Sequence, residues 1–268
     1  PIPNAKAFSL QIMTAAAAND ILVMADSDIL APQDLLATLA AEFQDPRLGV
    51  ATCPYRAVAG RSFWSRLEAI GMDTEFWCGV FTARLVERGV HFAVGPTSAA
   101  RKQAIEDAGG WSRLSRYLAE DFVLGHFASQ AGWNVILSCA IVEHRIGSQQ
   151  MRANFAHRLR WNRSTRRSRP AGYAGQLFTY PLPAALALAA VAPPLWWLFV
   201  PTALLRAWAA YAVAGRALAG PIPPRRWGLI PFQDLLSFTF WLAGFFGDTI
   251  VWRGRRYIVD KNGMLAQM

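Results

Sequence analysis

The sequence predicts an α/β fold, a sheet flanked by helices, with apolar helices at the carboxyl-terminal end. Three observations predict it. Short Val- and Ile-rich runs at Ile21–Ala25, Gly49–Pro54 and Asn134–Val142 alternate with helical stretches, as strands linked through helices do. Ile21–Ala25 runs into Asp26-Ser27-Asp28. An apolar strand that stops at carboxylates delivers them to the sheet edge, where open α/β sheets bind ligands. From Leu177 to Gly215 the only charged residue is Arg206, a composition suited to helices in or on a bilayer.

Composition narrows the function. The chain has 268 residues, is 53% hydrophobic and carries a net charge of +9. The charge favours anionic partners, but this apolar content excludes an ordinary nucleic-acid-binding domain and points to a membrane surface or an anionic substrate. Cys53, Cys78 and Cys139 are scattered and odd in number, with neither disulfide nor metal spacing, so a reducing cytoplasmic setting is expected. No signal peptide is visible. Little precedes the strand at Ile21, which reads as an interior strand of a parallel sheet, so residues upstream of Pro1 are expected.

Along the chain, Ser9–Ala18 has helical composition. Asp26 and Asp28, two apart, suit a divalent cation that takes one or two protein carboxylates and fills its shell with phosphate and water; equally, they suit a turn and a helix cap. Pro32–Phe43 reads as a helix with Pro32 near its start and Leu35, Leu36, Leu39 and Phe43 on one side. Ser62–Val86 is long and aromatic, either an amphipathic helix on a bilayer or a core helix. His91–Val94 is a strand candidate, followed by the small-residue loop Gly95–Arg101. That loop either lets a ligand approach the backbone, through Gly95 and Thr97, or simply turns into the next helix. Gln103–Ala108 is a short helix stopped by Gly109-Gly110.

Glu120-Asp121 opens a helix running to Ala131; an acid there is a cap or a base held at the crevice. His144 follows the last strand, as a ligand or a structural residue. Gln149–Arg169 is a basic helix containing H-R-L-R-W, His157 to Trp161. Arginines on successive turns beside a Trp suit a diphosphate and a stacked ring, or anionic lipid. Pro193-Pro194 divides the apolar region into two short membrane passes, and Leu229–Trp252 is a third apolar stretch interrupted by Asp234 and Asp248. The expected division is a catalytic domain over 1–170 and a membrane region over 171–268 with two to three apolar helices.

These motifs stand in the order N-A-K (Asn4–Lys6), D-S-D-I (Asp26–Ile29), A-G-G (Ala108–Gly110), Y-L-A-E-D (Tyr117–Asp121), R-W (Arg160-Trp161) and W-R-G-R-R-Y (Trp252–Tyr257). In that order they resemble the ceramide glucosyltransferase family of processive-type inverting glycosyltransferases, over nearly the whole chain. The chain is also similar to the bacterial branch acting on hopanoid lipids. The family's earlier, base-binding aspartate has no counterpart here, and His157 stands at the first position of its [Q/R]-x-x-R-W motif.

The resemblance implies a truncated nucleotide-diphospho-sugar transferase (Rossmann-like) domain followed by transmembrane or interfacial helices. It implies a multi-pass membrane protein whose catalytic domain faces the cytoplasm. It further implies inverting transfer of a sugar, glucose first, from a UDP-sugar donor to a membrane lipid acceptor such as ceramide. By the same resemblance Asp26 and Asp28 bind Mg2+ or Mn2+, and Asp121 is the general base with Glu120 beside it. Asn4 and Lys6 help place the nucleotide, and His157, Arg160 and Trp161 hold the diphosphate. The alternatives it leaves open are N-acetylglucosamine transfer to a hopanoid, polysaccharide synthesis, and an inactive lipid-binding fragment.

Overall fold

The computed structural model describes residues 4–252 and 254–267. Helix α1 (Ala5–Ala16) leads to β1 (Ile21–Ala25), β2 (Ile29–Leu30), α2 (Leu35–Glu42), β3 (Leu48–Thr52) and β4 (Tyr55–Val58). A long helical stretch follows as α3 (Phe63–Gly71) and α4 (Trp77–Val86), joined by a π-helical turn at Met72–Phe76. Then come β5 (Thr97–Arg101), α5 (Lys102–Asp107), α6 (Gly110–Leu114), α7 (Glu120–Gln130), β6 (Asn134–Leu137) and β7 (Val142–Arg145). The remainder is α8 (Met151–Ser168), α9 (Pro170–Gly175), α10 (Pro181–Val191), α11 (Phe199–Ala210), α12 (Ile230–Gly244) and the strands β8 (Thr249–Trp252), β9 (Arg255–Val259) and β10 (Leu265–Gln267).

These elements form two compact units, each assembled from separate stretches. The first comprises Pro1–Tyr55, Arg84–His144 and Asp248–Met268; the second comprises Arg56–Ala83 and Arg145–Gly247.

The first unit is built on a four-stranded sheet in the order β1-β5-β3-β6. β5 runs antiparallel to both β1 and β3, and β6 runs parallel to β3. β3 is buried along its whole length. β1 departs from the expectation of an interior parallel strand. It has a single neighbour, runs antiparallel to it, and is half exposed. Val50, Ala100, Ile105, Trp111, Leu124 and Val135 are among the side chains of one buried core in this unit. α1 begins at Asn4, whose Oδ1 accepts the N–H groups of Lys6 and Ala7 at 3.0 and 3.1 Å, satisfying donors that lack an intrahelical partner. A second small sheet, β10-β9-β8, buries Ile250, Tyr257 and Val259 with Leu118.

Two strand expectations are corrected here. The strand lies not at His91–Val94 but at Thr97–Arg101, within the stretch read as a loop. At Val94 the hydroxyl of Thr52 takes both backbone groups, accepting its N–H and donating to its carbonyl, each at 2.9 Å. Phe92 and Ala93 press on α7, where a Cβ on Gly125 would come 2.3 Å from the Ala93 nitrogen. T-S-A-A-R pairs instead because its small side chains fit the middle of the sheet, where Ala99 and Ala100 are fully buried. The run Asn134–Val142 is likewise not one strand. Glu42 Oε1 accepts from the Ser138 hydroxyl at 3.0 Å and the Cys139 N–H at 2.7 Å, and this turns the chain between β6 and β7.

In the second unit α12 packs against α3, α8 and α10. Its third apolar stretch ends as helix at Gly244, short of the expected Trp252. Arg163 and Arg166 of α8 donate to the carbonyls of Phe245, Phe246 and Gly247, which closes the helix terminus. One described helix, Pro193–Ala217, is long and apolar enough to cross a membrane. Pro170–Thr179 and Pro181–Val191 pass that test only together, and they are bent by 67°. The bend falls at Tyr180, which precedes a proline and is held out of the helical conformation. The second unit has apolar cores of its own, such as Ile70 with Ile222 and Ile230, and also carries large apolar side chains on its surface. Trp196, Leu204 and Trp208 are 65–68% exposed. Inside, Arg206 makes a two-pronged ion pair with Asp234, Nε and Nη2 each 2.8 Å from a carboxylate oxygen, and also reaches the Thr74 hydroxyl at 2.9 Å.

Candidate active site

Three carboxylates and one ammonium converge in the first unit. Lys6 lies on the first turn of α1, placed by the Asn4 cap. Its Nζ is 2.8 Å from Asp26 Oδ1 and 3.3 Å from Glu120 Oε1. It also donates to the Gly95 carbonyl at 3.3 Å. Asn4, fully buried, turns its amide the other way, donating to the Tyr117 carbonyl at 2.9 Å and to Glu120 Oε2 at 2.8 Å. Glu120 is thus held on both oxygens, while Asp121 opens α7 next to it. Lys6, Asp26, Gly95, Ser98, Glu120 and Asp121 line one cavity, whose apolar wall includes Met24, Leu10, Trp111 and Leu124.

The electrostatics follow from this packing. Withdrawal from water and the neighbouring Glu120 carboxylate raise the carboxyl of Asp121 to about 7. Lys6 and the N–H groups of Phe122 and Asp121 pull the other way. Burial lowers the Lys6 ammonium, but Glu120, Asp121 and Asp26 outweigh it and hold the group well above the usual lysine range. Lys6 therefore stays charged, and Asp121 is the member of the cluster poised to exchange a proton near neutrality.

Gly95 has a specific part in this. A Cβ there would sit 2.5 Å from Asp121 Oδ2. The small-residue segment thus makes room for a carboxylate of the protein itself. In Gly95→Ala the flexible Asp121 side chain gives way rather than the backbone. The expected outcome is a melting temperature within a few degrees of the parent's and, with Asp121 as the expected base, an activity reduced by about 100-fold, the order of loss that small misplacements of a reacting group carry. Calorimetry and an activity assay on one preparation check this.

The other expected site residues are placed as follows. Asp28 is 3.2 Å from His144 Nε2, with 48% of its side chain exposed. Thr97 is fully buried on β5, and its hydroxyl has no partner among the described residues. His157, Arg160 and Trp161 all lie on α8, in the second unit. There His157 Nδ1 meets Glu68 Oε1 at 2.8 Å, and its ring centroid lies 4.7 Å from that of Trp161. Sequence reasoning missed Ser98, Trp111 and Glu68. Only Glu68 carried a signal, as a charge inside an apolar helix, which demands a partner.

Asp26 and Asp28 carry donors of the kind a divalent cation takes, with Asp26 paired to Lys6 and Asp28 against His144. Both offer hard oxygens at 37% and 48% side-chain exposure. No group of three or more His, Cys, Asp or Glu gathers for a metal among the described residues. A two-carboxylate site suits Mg2+ or Mn2+, which complete their shell with phosphate and water. The family model of Glycosyl transferase family 21 matches residues 2–265, nearly the whole chain.

Proposed function

The chain belongs to glycosyl transferase family 21 and is a glycosyltransferase, and from that premise we propose that it transfers a sugar, glucose first, from UDP to the hydroxyl of a membrane lipid of the ceramide type. The observation that carries this reading is the cluster of Lys6, Asp26, Glu120 and Asp121 around one cavity. Asp121 takes the proton of the acceptor hydroxyl as that oxygen attacks the anomeric carbon from the face opposite UDP, so that configuration inverts. Lys6 and Asn4 keep Glu120 fixed on both oxygens, which leaves Asp121 as the base. Asp26 and Asp28 would hold Mg2+ or Mn2+, which would supply positive charge to offset that of the diphosphate. His157, Arg160 and Trp161 are assigned to the diphosphate on the resemblance of their motif.

The lipid acceptor is supported by the second unit. Its tryptophans and leucines on Pro193–Ala217 face outward, and its ion pair faces inward. A surface of that kind suits a bilayer, with the polar pair satisfied inside. Incubating membranes that carry the protein with radiolabelled UDP-glucose, UDP-N-acetylglucosamine or UDP-glucuronic acid and a panel of ceramide, hopanoid and diacylglycerol tests the reading. Label is expected in ceramide from UDP-glucose; label in a polymer, or in no lipid, refutes it.

The cation assignment has its own test. Asp28→Ala is expected to weaken Mg2+-dependent UDP binding by about tenfold or more, in line with the loss of one charged ligand. Binding measured by calorimetry with and without EDTA checks it; an unaltered EDTA effect removes Asp28 from the cation site.

A further inference from the structure

Glu68 has no place in the chemistry above, yet it is one of the most completely satisfied acids in the second unit. It sits on α3 at 4% exposure. One oxygen, Oε1, meets His157 Nδ1 at 2.8 Å, and the other accepts from Asn154 Nδ2 at 2.6 Å. Asn154, fully buried, is itself fixed. Its amide also donates to Gln149 Oε1 at 3.1 Å, and its Oδ1 accepts from Arg158 Nε at 2.8 Å. Arg158 in turn donates to Gln233 Oε1 of α12 at 3.1 Å. Glu68, Asn154, Arg158 and Gln233 are buried, while Gln149 and the His157 ring, with 25% of its side chain exposed, are partly open to water.

A carboxylate accepts and never donates, so the ring must carry its proton on Nδ1. That fixes the tautomer and the ring plane together and leaves Nε2 as the outward nitrogen, beside the Trp161 indole. Only the doubly protonated ring carries a second N–H there, so it is in that form that the ring donates from Nε2. Such an N–H suits an anionic oxygen.

We propose that Glu68 is a positioning residue for the His157-x-x-Arg160-Trp161 motif, holding the imidazole so that Nε2 meets a phosphate oxygen of the donor diphosphate. This rests on the reading of that motif as the diphosphate-binding element. It explains how histidine serves at a position where the family has glutamine or arginine: the buried acid makes an imidazole into an oriented N–H donor. A glutamine there has its own amide N–H and does not need Glu68.

The test uses the full chain and UDP as the probe, with affinity from calorimetry. Glu68→Gln, which places an amide where a carboxylate oxygen accepted, is expected to weaken UDP binding by about tenfold, a coupling common between contacting groups. In a His157→Gln background the same change is expected to cost less than about twofold. Equal losses in both backgrounds show a mere strut between α3 and α8 and overturn the proposal, while the reading of the motif stands. If His157→Ala leaves UDP affinity unchanged, the reading of the motif fails and the proposal with it. Should Glu68→Gln not fold, nitrogen NMR of the unaltered chain labelled at its four histidines decides. A His157 ring that carries protons on both nitrogens with UDP bound supports the proposal; a ring without the Nδ1 proton, or one that stays neutral with UDP bound, overturns it.

Discussion

With Asp121 as the proposed general base, Asp121→Asn is expected to bring sugar transfer close to a halt and to leave UDP bound. Asparagine matches the shape of aspartate but accepts no proton from the acceptor, and loss of a general base lowers the rate by about 100- to 10,000-fold. UDP affinity is expected to stay within about threefold, because the nucleotide is held by other groups. The same residue sets the pH profile. Its carboxyl is raised to about 7 by partial burial and by Glu120, and it works only when deprotonated. Transfer therefore falls as pH drops through about 7, by about tenfold per unit below it. Stability moves the opposite way. Between the usual aspartate value of 3.8 and about 7 the folded chain holds a proton at Asp121 that the unfolded chain has lost. Folding stability thus falls as pH rises through that window and is level above it. In Asp121→Asn both dependences at this site vanish. A transfer rate near that of the parent, at any pH, removes Asp121 from the chemistry.

Asp234→Ala is expected to produce the largest loss of stability of any single change in the second unit. Asp234 is fully buried and Arg206 is 5% exposed. Among the described residues, removing the acid leaves the guanidinium hydrogen-bonded to the Thr74 hydroxyl alone, at 2.9 Å. Breaking a buried pair from one side costs about 3–5 kcal/mol, whereas replacing both members by apolar groups of similar volume is close to neutral. The double change Arg206→Met with Asp234→Leu should therefore recover most of the loss. Thermal unfolding of the three proteins in detergent checks this. A single variant that melts with the parent shows that Arg206 finds another route to solvent.

Much of this molecule was legible in the chain. The helix opening at Glu120, the basic helix with Arg160 and Trp161, and the strand ending at Asp26 all rest on local patterns: a periodicity, a cap, a charge at an element's end. Boundaries were legible only where a local signal was strong. The Thr97–Arg101 strand read as a loop because alanine and serine carry no strand signature, and it is a strand because the centre of a sheet admits small side chains. The apolar stretch ending at Gly244 looked longer because hydropathy does not see the arginines of α8 that stop the helix.

The order of the motifs and the acid at the start of α7 were written in the sequence, since each depends on neighbours close by in the chain. Which groups meet was decided by the tertiary structure alone. Asn4 and Glu120 are 116 residues apart, and Glu68 and His157 are 89 apart; no periodicity links them. Lys6 neutralises the acids, Gly95 leaves space for Asp121 and Glu68 turns the His157 ring because strand register and helix packing bring those atoms within hydrogen-bonding reach. That distance sets both the proton affinity of Asp121 and the direction in which each donor points.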